Sequence, residues 1–207
     1  MFVRPARPYL AVGAVALVVL WVFSTLVRAP FLPGIAAAVV LTGVWGFFAV
    51  FFRDPEREPG PGVVSAADGR VIRVAEEEGR WRIAVFMNVT DFHVNRFPLD
   101  AGVDGIDDSG EGFRPAYAPD AIHNVQRRYR LTSRFGPVEV IQMTGVVARR
   151  LVSLVEPGEA YRKGDRLGMI LLGSRVDVLL PVGAFRPAVK PGDRVWAGRS
   201  TVAVERT

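Results

Sequence analysis

The sequence predicts a mainly β fold: a barrel-sandwich-like domain preceded by an N-terminal two-helix transmembrane hairpin. Three observations predict it. Two long uncharged runs open the 207-residue chain, short apolar segments broken by Gly, Pro and Asp make up the rest, and one Gly-Asp-Arg turn leading into a strand occurs twice near the end. Half the residues are hydrophobic, and the excess is concentrated at the N-terminal end. A chain of this length holds one domain of about 100 to 150 residues plus an anchor.

Residues 9–27 form the first uncharged run. At about 1.5 Å per residue, a helix of that length just spans a hydrocarbon core of about 30 Å. The second run, residues 31–52, follows Arg28-Ala29-Pro30, and Pro30 with Pro33 breaks the helix between them. A cleaved signal peptide fits less well, because the first run is long, lacks a small-x-small cleavage site and is followed by a second span. Arg4 and Arg7 precede the spans, Arg53 and Arg57 follow them, and only Arg28 lies between. The positive-inside rule therefore puts both ends, and everything after the hairpin, on the cytoplasmic face of the cell membrane. Trp21, Trp45 and the phenylalanines at 47, 48, 51 and 52 are candidate anchors for the spans.

The anchor and its juxtamembrane motif occupy residues 1–57, and the Pro- and Gly-rich stretch up to residue 62 reads as a linker into a domain of residues 58–207. Apolar runs at residues 63–64, 71–74, 81–89, 138–143 and 146–155 read as strands, with one helix near residues 118–130. Two further short buried strands are expected at residues 169–172 and 176–180, bounded by Gly and Pro. The repeated turn, Lys163-Gly164-Asp165-Arg166 and Lys190-Pro191-Gly192-Asp193-Arg194, is of the kind seen in biotinyl and lipoyl carriers. Those carriers set a modifiable lysine at a hairpin tip. Here the tip is Gly173-Ser174, and the only two lysines, Lys163 and Lys190, stand beside the turn glycines.

The formal charge of +5 suits nucleic acid or anionic lipid, and the membrane anchor favours lipid over nucleic acid. With no cysteine, disulfides, thiolate metal sites and a cysteine nucleophile are excluded.

Gly173-Ser174 alone reads as a hairpin turn. Its neighbours point elsewhere. Leu172-Gly173-Ser174 followed by Arg-Val-Asp and an apolar strand resembles the processing site of the phosphatidylserine decarboxylase family, in its short prokaryotic, archaetidylserine decarboxylase-like form. The same resemblance extends to Phe52-Arg53-Asp54-Pro55-Glu56-Arg57, to Ala67-Asp68-Gly69, to Asp91-Phe92-His93 with Pro98, and to the segment from Ile141 to the arginine pair Arg149-Arg150. Together these cover most of residues 52–204.

The resemblance implies a proenzyme that breaks its own Gly173–Ser174 bond, giving a β chain of residues 1–173 and an α chain of residues 174–207 that stay together as a heterodimer. Ser174 becomes a covalent pyruvoyl group, the only cofactor, and no metal is implied. It implies His93 as the catalytic acid or base and Asp68 as the group that orients it, with Ser174 as the nucleophile. The substrate implied is phosphatidylserine, converted to phosphatidylethanolamine. Archaetidylserine carries the same reacting head group and stays open as the alternative. Arg96, Arg149 and Arg150 are candidates for the lipid phosphate, and a higher homo-oligomer is left open. Longer family members carry a second histidine where this chain has Arg96, so His93 serves both self-cleavage and proton transfer, or shares them with water. Only Arg128 of the string Val125-Gln126-Arg127-Arg128 matches the family there. His123 reads as a surface residue. A non-catalytic membrane-tethered β-barrel adaptor is the rival reading, and a serine hydrolase is disfavoured because no Gly-x-Ser-x-Gly elbow is present.

Overall fold

The structure is a computed structural model and describes residues 6–26, 31–146, 150–170 and 174–206. The chain divides into two compact units, Met1–Glu56 and Arg57–Thr207.

The first unit is a pair of helices, α1 (Arg7–Leu26) and α2 (Phe31–Phe51). Both are long and apolar enough to cross a membrane. α1 begins two residues before the uncharged run, since Pro8 is tolerated in a first helical turn. The indoles join the helices: Trp45 Nε1 donates to the Leu10 carbonyl at 3.1 Å, and Trp21 Nε1 to Thr42 Oγ1 at 3.2 Å. Val12, Val15, Val19, Phe23, Val40 and Phe47 stay exposed, as side chains facing lipid do.

The second unit is built of strands. In order they are β1 (Val63–Val64), β2 (Gly69–Glu77), β3 (Arg80–Met87), β4 (Val94–Arg96), β5 (Ala101–Ser109), β6 (Gln126–Ser133), β7 (Gly136–Met143), β8 (Leu151–Ser153), β9 (Ala160–Tyr161), β10 (Arg166–Ile170), β11 (Ser174–Pro181), β12 (Phe185–Pro187), β13 (Arg194–Val195) and β14 (Thr201–Glu205). An eight-stranded sheet runs in the order β13-β2-β3-β11-β7-β6-β5-β9, and two three-stranded sheets run β1-β14-β12 and β4-β10-β8. The three sheets share one core, in which Val85, Val140, Val176 and Val178 from the large sheet meet Leu167, Ile170, Phe185 and Val202 from the small ones, with Phe97 just after β4. The domain is thus mainly β and sandwich-like, as expected.

β11 is the spine of the large sheet. It pairs along its length with β3, from Ser174↔Met87 to Pro181↔Arg80, and with β7 from Arg175↔Met143 to Leu179↔Glu139. Because side chains alternate along a strand, Ser174, Val176, Val178 and Leu180 face the shared core, while Arg175, Asp177 and Leu179 face the other side. Leu179 there joins Ile141 and Met143 in a small second cluster.

Two expectations are corrected. Residues 118–130 do not form a helix: only a 3-10 turn, Pro119–His123, is present, and β6 begins at Gln126. The reason is β6's pairing with β7, in which Tyr129 and Leu131 alternate into the core opposite Val140 and Val138. The strands flanking residues 171–173 do not form a hairpin either. β10 pairs with β4 and β8, whereas β11 pairs with β3 and β7, so the chain crosses from one sheet to another at that point.

The repeated turn is real in three dimensions. Gly164 and Gly192 take φ of 88° and 98°, which a type II turn demands at its third position. In both copies the Asp carboxylate accepts the backbone N–H of the turn's first residue, from Arg162 at 2.8 Å and Lys190 at 2.9 Å.

Candidate functional site

Ser174 heads β11 and is fully buried. Its Oγ lies 3.5 Å from the Sδ of Met87, the residue directly across the ladder. A thioether is a weak acceptor, so the hydroxyl proton is only loosely held. Met87 Sδ also takes Asn95 Nδ2 at 3.6 Å. Asn95 Oδ1 accepts from Gln142 Nε2 at 2.7 Å, and Gln142 Oε1 accepts from the Tyr129 hydroxyl at 3.0 Å. A buried polar chain therefore runs from β6 through β7 and β4 to the serine, fixing Met87 and Asn95 beneath it.

His93 is also fully buried, on the segment between β3 and β4. Its Nδ1 stands 2.7 Å from the Asp91 backbone carbonyl. A carbonyl can only accept, so the proton sits on Nδ1, and in the neutral ring the lone pair sits on Nε2. Burial lowers the imidazole's pKa from 6.5 to about 4, outweighing the opposing pull of the Asp91 carbonyl and the Asp91 and Asp68 carboxylates. At neutral pH His93 is therefore an uncharged base.

Asp91 entered the sequence reading only as part of the Asp91-Phe92-His93 segment, with no role of its own. Its carboxylate closes the loop that carries His93, accepting the Asn88 N–H at 2.8 Å and Arg194 Nη2 at 2.5 Å. The His93 carbonyl accepts the N–H of Ile170, the last residue of β10, at 3.2 Å. Ile170 is four residues before Ser174. The backbone thus ties the histidine segment to one end of the stretch that leads into the serine, and Met87 lies opposite its other end.

Asp68 is buried close enough to His93 to act on it electrostatically, but its hydrogen bonds go elsewhere. Arg57 grips both carboxylate oxygens, with Nη1 on Oδ1 and Nη2 on Oδ2 at 2.8 Å, and the Ala197 N–H donates to Oδ1 at 2.7 Å. Arg57 Nη1 also donates to the Ala197 carbonyl at 2.9 Å, and the guanidinium lies over the Phe92 ring, 5.3 Å from its centroid. The last arginine of the Phe-Arg-Asp-Pro-x-Arg motif therefore clamps Asp68 and the residue beside His93. The hydrogen bond that orients the imidazole is the one that its Nδ1–H donates to the Asp91 carbonyl.

The Arg-Val-Asp string after Ser174 also has a physical meaning. Arg175 and Asp177 share one face of β11 and pair bidentately at 2.6 and 2.7 Å. Arg82 adds a bond to Asp177 at 2.7 Å and reaches Glu77 at 2.6 Å. A buried ion network thus backs the serine from the far side of the sheet.

Of the three arginines expected at a phosphate, Arg96 is buried with Nη1 bonded to the Gly164 carbonyl at 2.9 Å, and Arg150 is exposed. Arg149 and Gly173 lie outside the described residues. His123 is exposed, as expected. Among the described residues no group of three or more His, Asp or Glu is arranged to hold a metal ion.

A loosely held buried hydroxyl, and an uncharged imidazole whose segment is bonded to the chain four residues before it, are the equipment of chemistry, and the class so defined is a mainly β enzyme led by apolar helices. Comparison with known proteins narrows it. The family model for phosphatidylserine decarboxylase matches residues 45–203. A phosphatidylserine decarboxylase proenzyme of Thermobifida fusca is 42% identical over 167 residues, covering 80% of this chain and 76% of the relative. One of Streptomyces avermitilis is 41% identical over 165 residues, covering 79% and 76%. A protein of Methanococcoides burtonii, provisionally named archaetidylserine decarboxylase proenzyme, is 40% identical over 185 residues, covering 82% and 86%. The chain belongs to the phosphatidylserine decarboxylase family.

Proposed function

We propose that the chain is a proenzyme that cuts itself between Gly173 and Ser174 and then decarboxylates phosphatidylserine to phosphatidylethanolamine. The observation that carries this reading is a buried Ser174 hydroxyl at the head of β11, four residues after an Ile170 N–H bonded to the carbonyl of a neutral, buried His93. His93 Nε2 takes the hydroxyl proton as Oγ attacks the Gly173 carbonyl, and the peptide link passes from nitrogen to oxygen as an ester. Loss of the Ser174 Cα proton then expels the Gly173 carboxylate, and water releases ammonia from the dehydroalanine end, leaving the pyruvoyl carbonyl. Ser174 suits this conversion: it opens a buried strand held on both sides, so the new chain end stays where the serine was.

The pyruvoyl group supplies an electron sink for the pair left behind as carbon dioxide departs. This chain's residues do the rest. His93 returns a proton to the substrate carbon, Asp68 favours the transiently cationic imidazole, and Arg57 holds Asp68 in place. Exposed Arg150, with Arg149 beside it in sequence, is the partner for the lipid phosphate. Arg4, Arg7, Arg53 and Arg57 against the single Arg28 support a β domain on the cytoplasmic face, with the apolar helices as anchor.

Intact mass spectrometry tests the central step. Wild-type protein should yield an α chain of residues 174–207 without a free amino group, and Ser174→Ala should give one uncut polypeptide and no carbon dioxide. Carbon dioxide release by uncut protein would end the reading. The archaetidylserine alternative is favoured by the Methanococcoides relative, and rates on the two lipids in matched vesicles separate them.

A further inference from the structure

The large sheet has two very different edges. At the edge where β11 begins, four connections come together: residues 88–93 after β3, 110–125 between β5 and β6, the described residues 144–146 and 150 of the connection after β7, and residues 196–200 after β13. Among the described residues of the β unit, every exposed large apolar side chain belongs to these connections: Val89, Phe113, Tyr117, Ile122, Val146 and Trp196. The opposite edge turns at Glu78-Gly79 and Arg134-Phe135, where the Arg134 side chain is 76% exposed and ion-paired with Glu205.

The apolar tips stand on built supports. Asn124 is buried and uses its whole amide: Nδ2 donates to the carbonyls of Arg114 and Thr144 at 2.8 Å each, and Oδ1 accepts the Arg114 N–H at 2.8 Å. The Thr144 N–H in turn bonds the Val125 carbonyl at 3.0 Å. Tyr117 packs edge-on against Phe86 of β3, with centroids 5.7 Å apart. Two of these loops are therefore fixed to each other and to the strand beside Ser174. Holding six large apolar side chains in water at one edge costs stability unless something apolar receives them.

We propose that this edge is a lipid-docking surface that seats the mouth of the Ser174 site in the headgroup layer of the bilayer. The inference rests on the lipid-substrate reading above. A bilayer is the occupant because the same chain carries two membrane-length helices, and residues 52–56 that join α2 to Arg57 reach at most about 20 Å when extended. The composition agrees: Trp and Tyr prefer the membrane interface, Phe, Ile and Val insert below it, and exposed Arg150 lies in one of the same connections for lipid phosphate.

The absence of native cysteine allows a direct test. Full-length Ser174→Ala protein in phosphatidylcholine vesicles containing phosphatidylserine is spin-labelled at a single introduced cysteine, Ile122→Cys, Val146→Cys or Trp196→Cys, with Arg134→Cys as the control at the far edge. Docking predicts labels at the three edge sites that collide with oxygen more than with a water-soluble nickel complex, and the reverse at the control. Edge labels as wet as the control overturn it. In otherwise native protein, Phe113→Ser with Ile122→Ser should lower the ratio of activity on vesicles to activity on a short-chain soluble phosphatidylserine by about tenfold. A ratio equal to that of the native protein also overturns it. If native protein releases carbon dioxide from neither substrate, the functional reading falls, while the labels still decide the surface.

Discussion

His93 is held neutral by its position in the fold. Its pKa of about 4 lies below the 6.5 of an exposed histidine, so between those values the unfolded chain binds more protons than the folded one. Stability is therefore complete above pH 6.5 and is lost as pH falls through that window, by about 3 kcal/mol in all. In a Ser174→Ala background, which keeps a single species, adding His93→Gln should flatten the melting temperature between pH 6.5 and 4. An unchanged slope would show that another group governs acid stability. Arg57 makes a second residue-scale case. The Arg57 and Asp68 side chains are 11% and 5% exposed, so Arg57→Met strands a buried carboxylate and should cost about 3 to 5 kcal/mol in denaturant titration. Adding Asp68→Asn should restore part of that loss. The same single variant should slow self-cleavage, since Asp68 no longer sits where its charge favours the imidazolium.

At the scale of elements, β11 does two jobs with its two faces. The inner face presents Ser174 to the core side, and the outer face buries Arg175 and Asp177 with Arg82. Asp177→Asn leaves two guanidiniums with one neutral oxygen between them, so the variant should lose about 3 to 5 kcal/mol of stability by chemical denaturation. An Asp177 variant as stable as wild type would mean that solvent reaches the network. This strand was legible in the sequence because its apolar run is flanked by Gly and Pro, and the serine because Gly-Ser opens it. The partners were not legible. A pairing of residue 57 with 68, or 68 with 197, leaves no period in the sequence, and the Asp91 carbonyl is a backbone group that every residue carries. The expected helix at residues 118–130 failed for a related reason: a charged run such as Gln126-Arg127-Arg128 looks helical until β7 is placed beside it. Gly173-Ser174 looked like a hairpin turn because sheet membership is a long-range property that two short apolar runs do not encode.

On the scale of the whole molecule, the cut and the fold must be compatible. The strands that flank the cut, β10 and β11, do not share a sheet, so their pairing is not what keeps the two products together. Cohesion comes instead from what lies after the cut. β11 is paired on both sides by β3 and β7, β13 pairs with β2, and β14 pairs with β1, so the segment from residue 174 is woven into two sheets whose other strands all precede residue 174, apart from β12. Losing the α chain would break all of these ladders and open the core at Val176, Val178, Leu180 and Val202. Cleavage should therefore leave one particle: in mild detergent the 34-residue α chain, about 4 kDa of the 22.7 kDa total, should co-elute with the β chain and separate only under denaturing conditions. Amide hydrogen exchange within residues 176–180 should stay as slow after cleavage as in the uncut Ser174→Ala protein. Fast exchange there, or fragments that part without denaturant, would mean that the cut releases the strand and that the fold alone does not hold the two chains together.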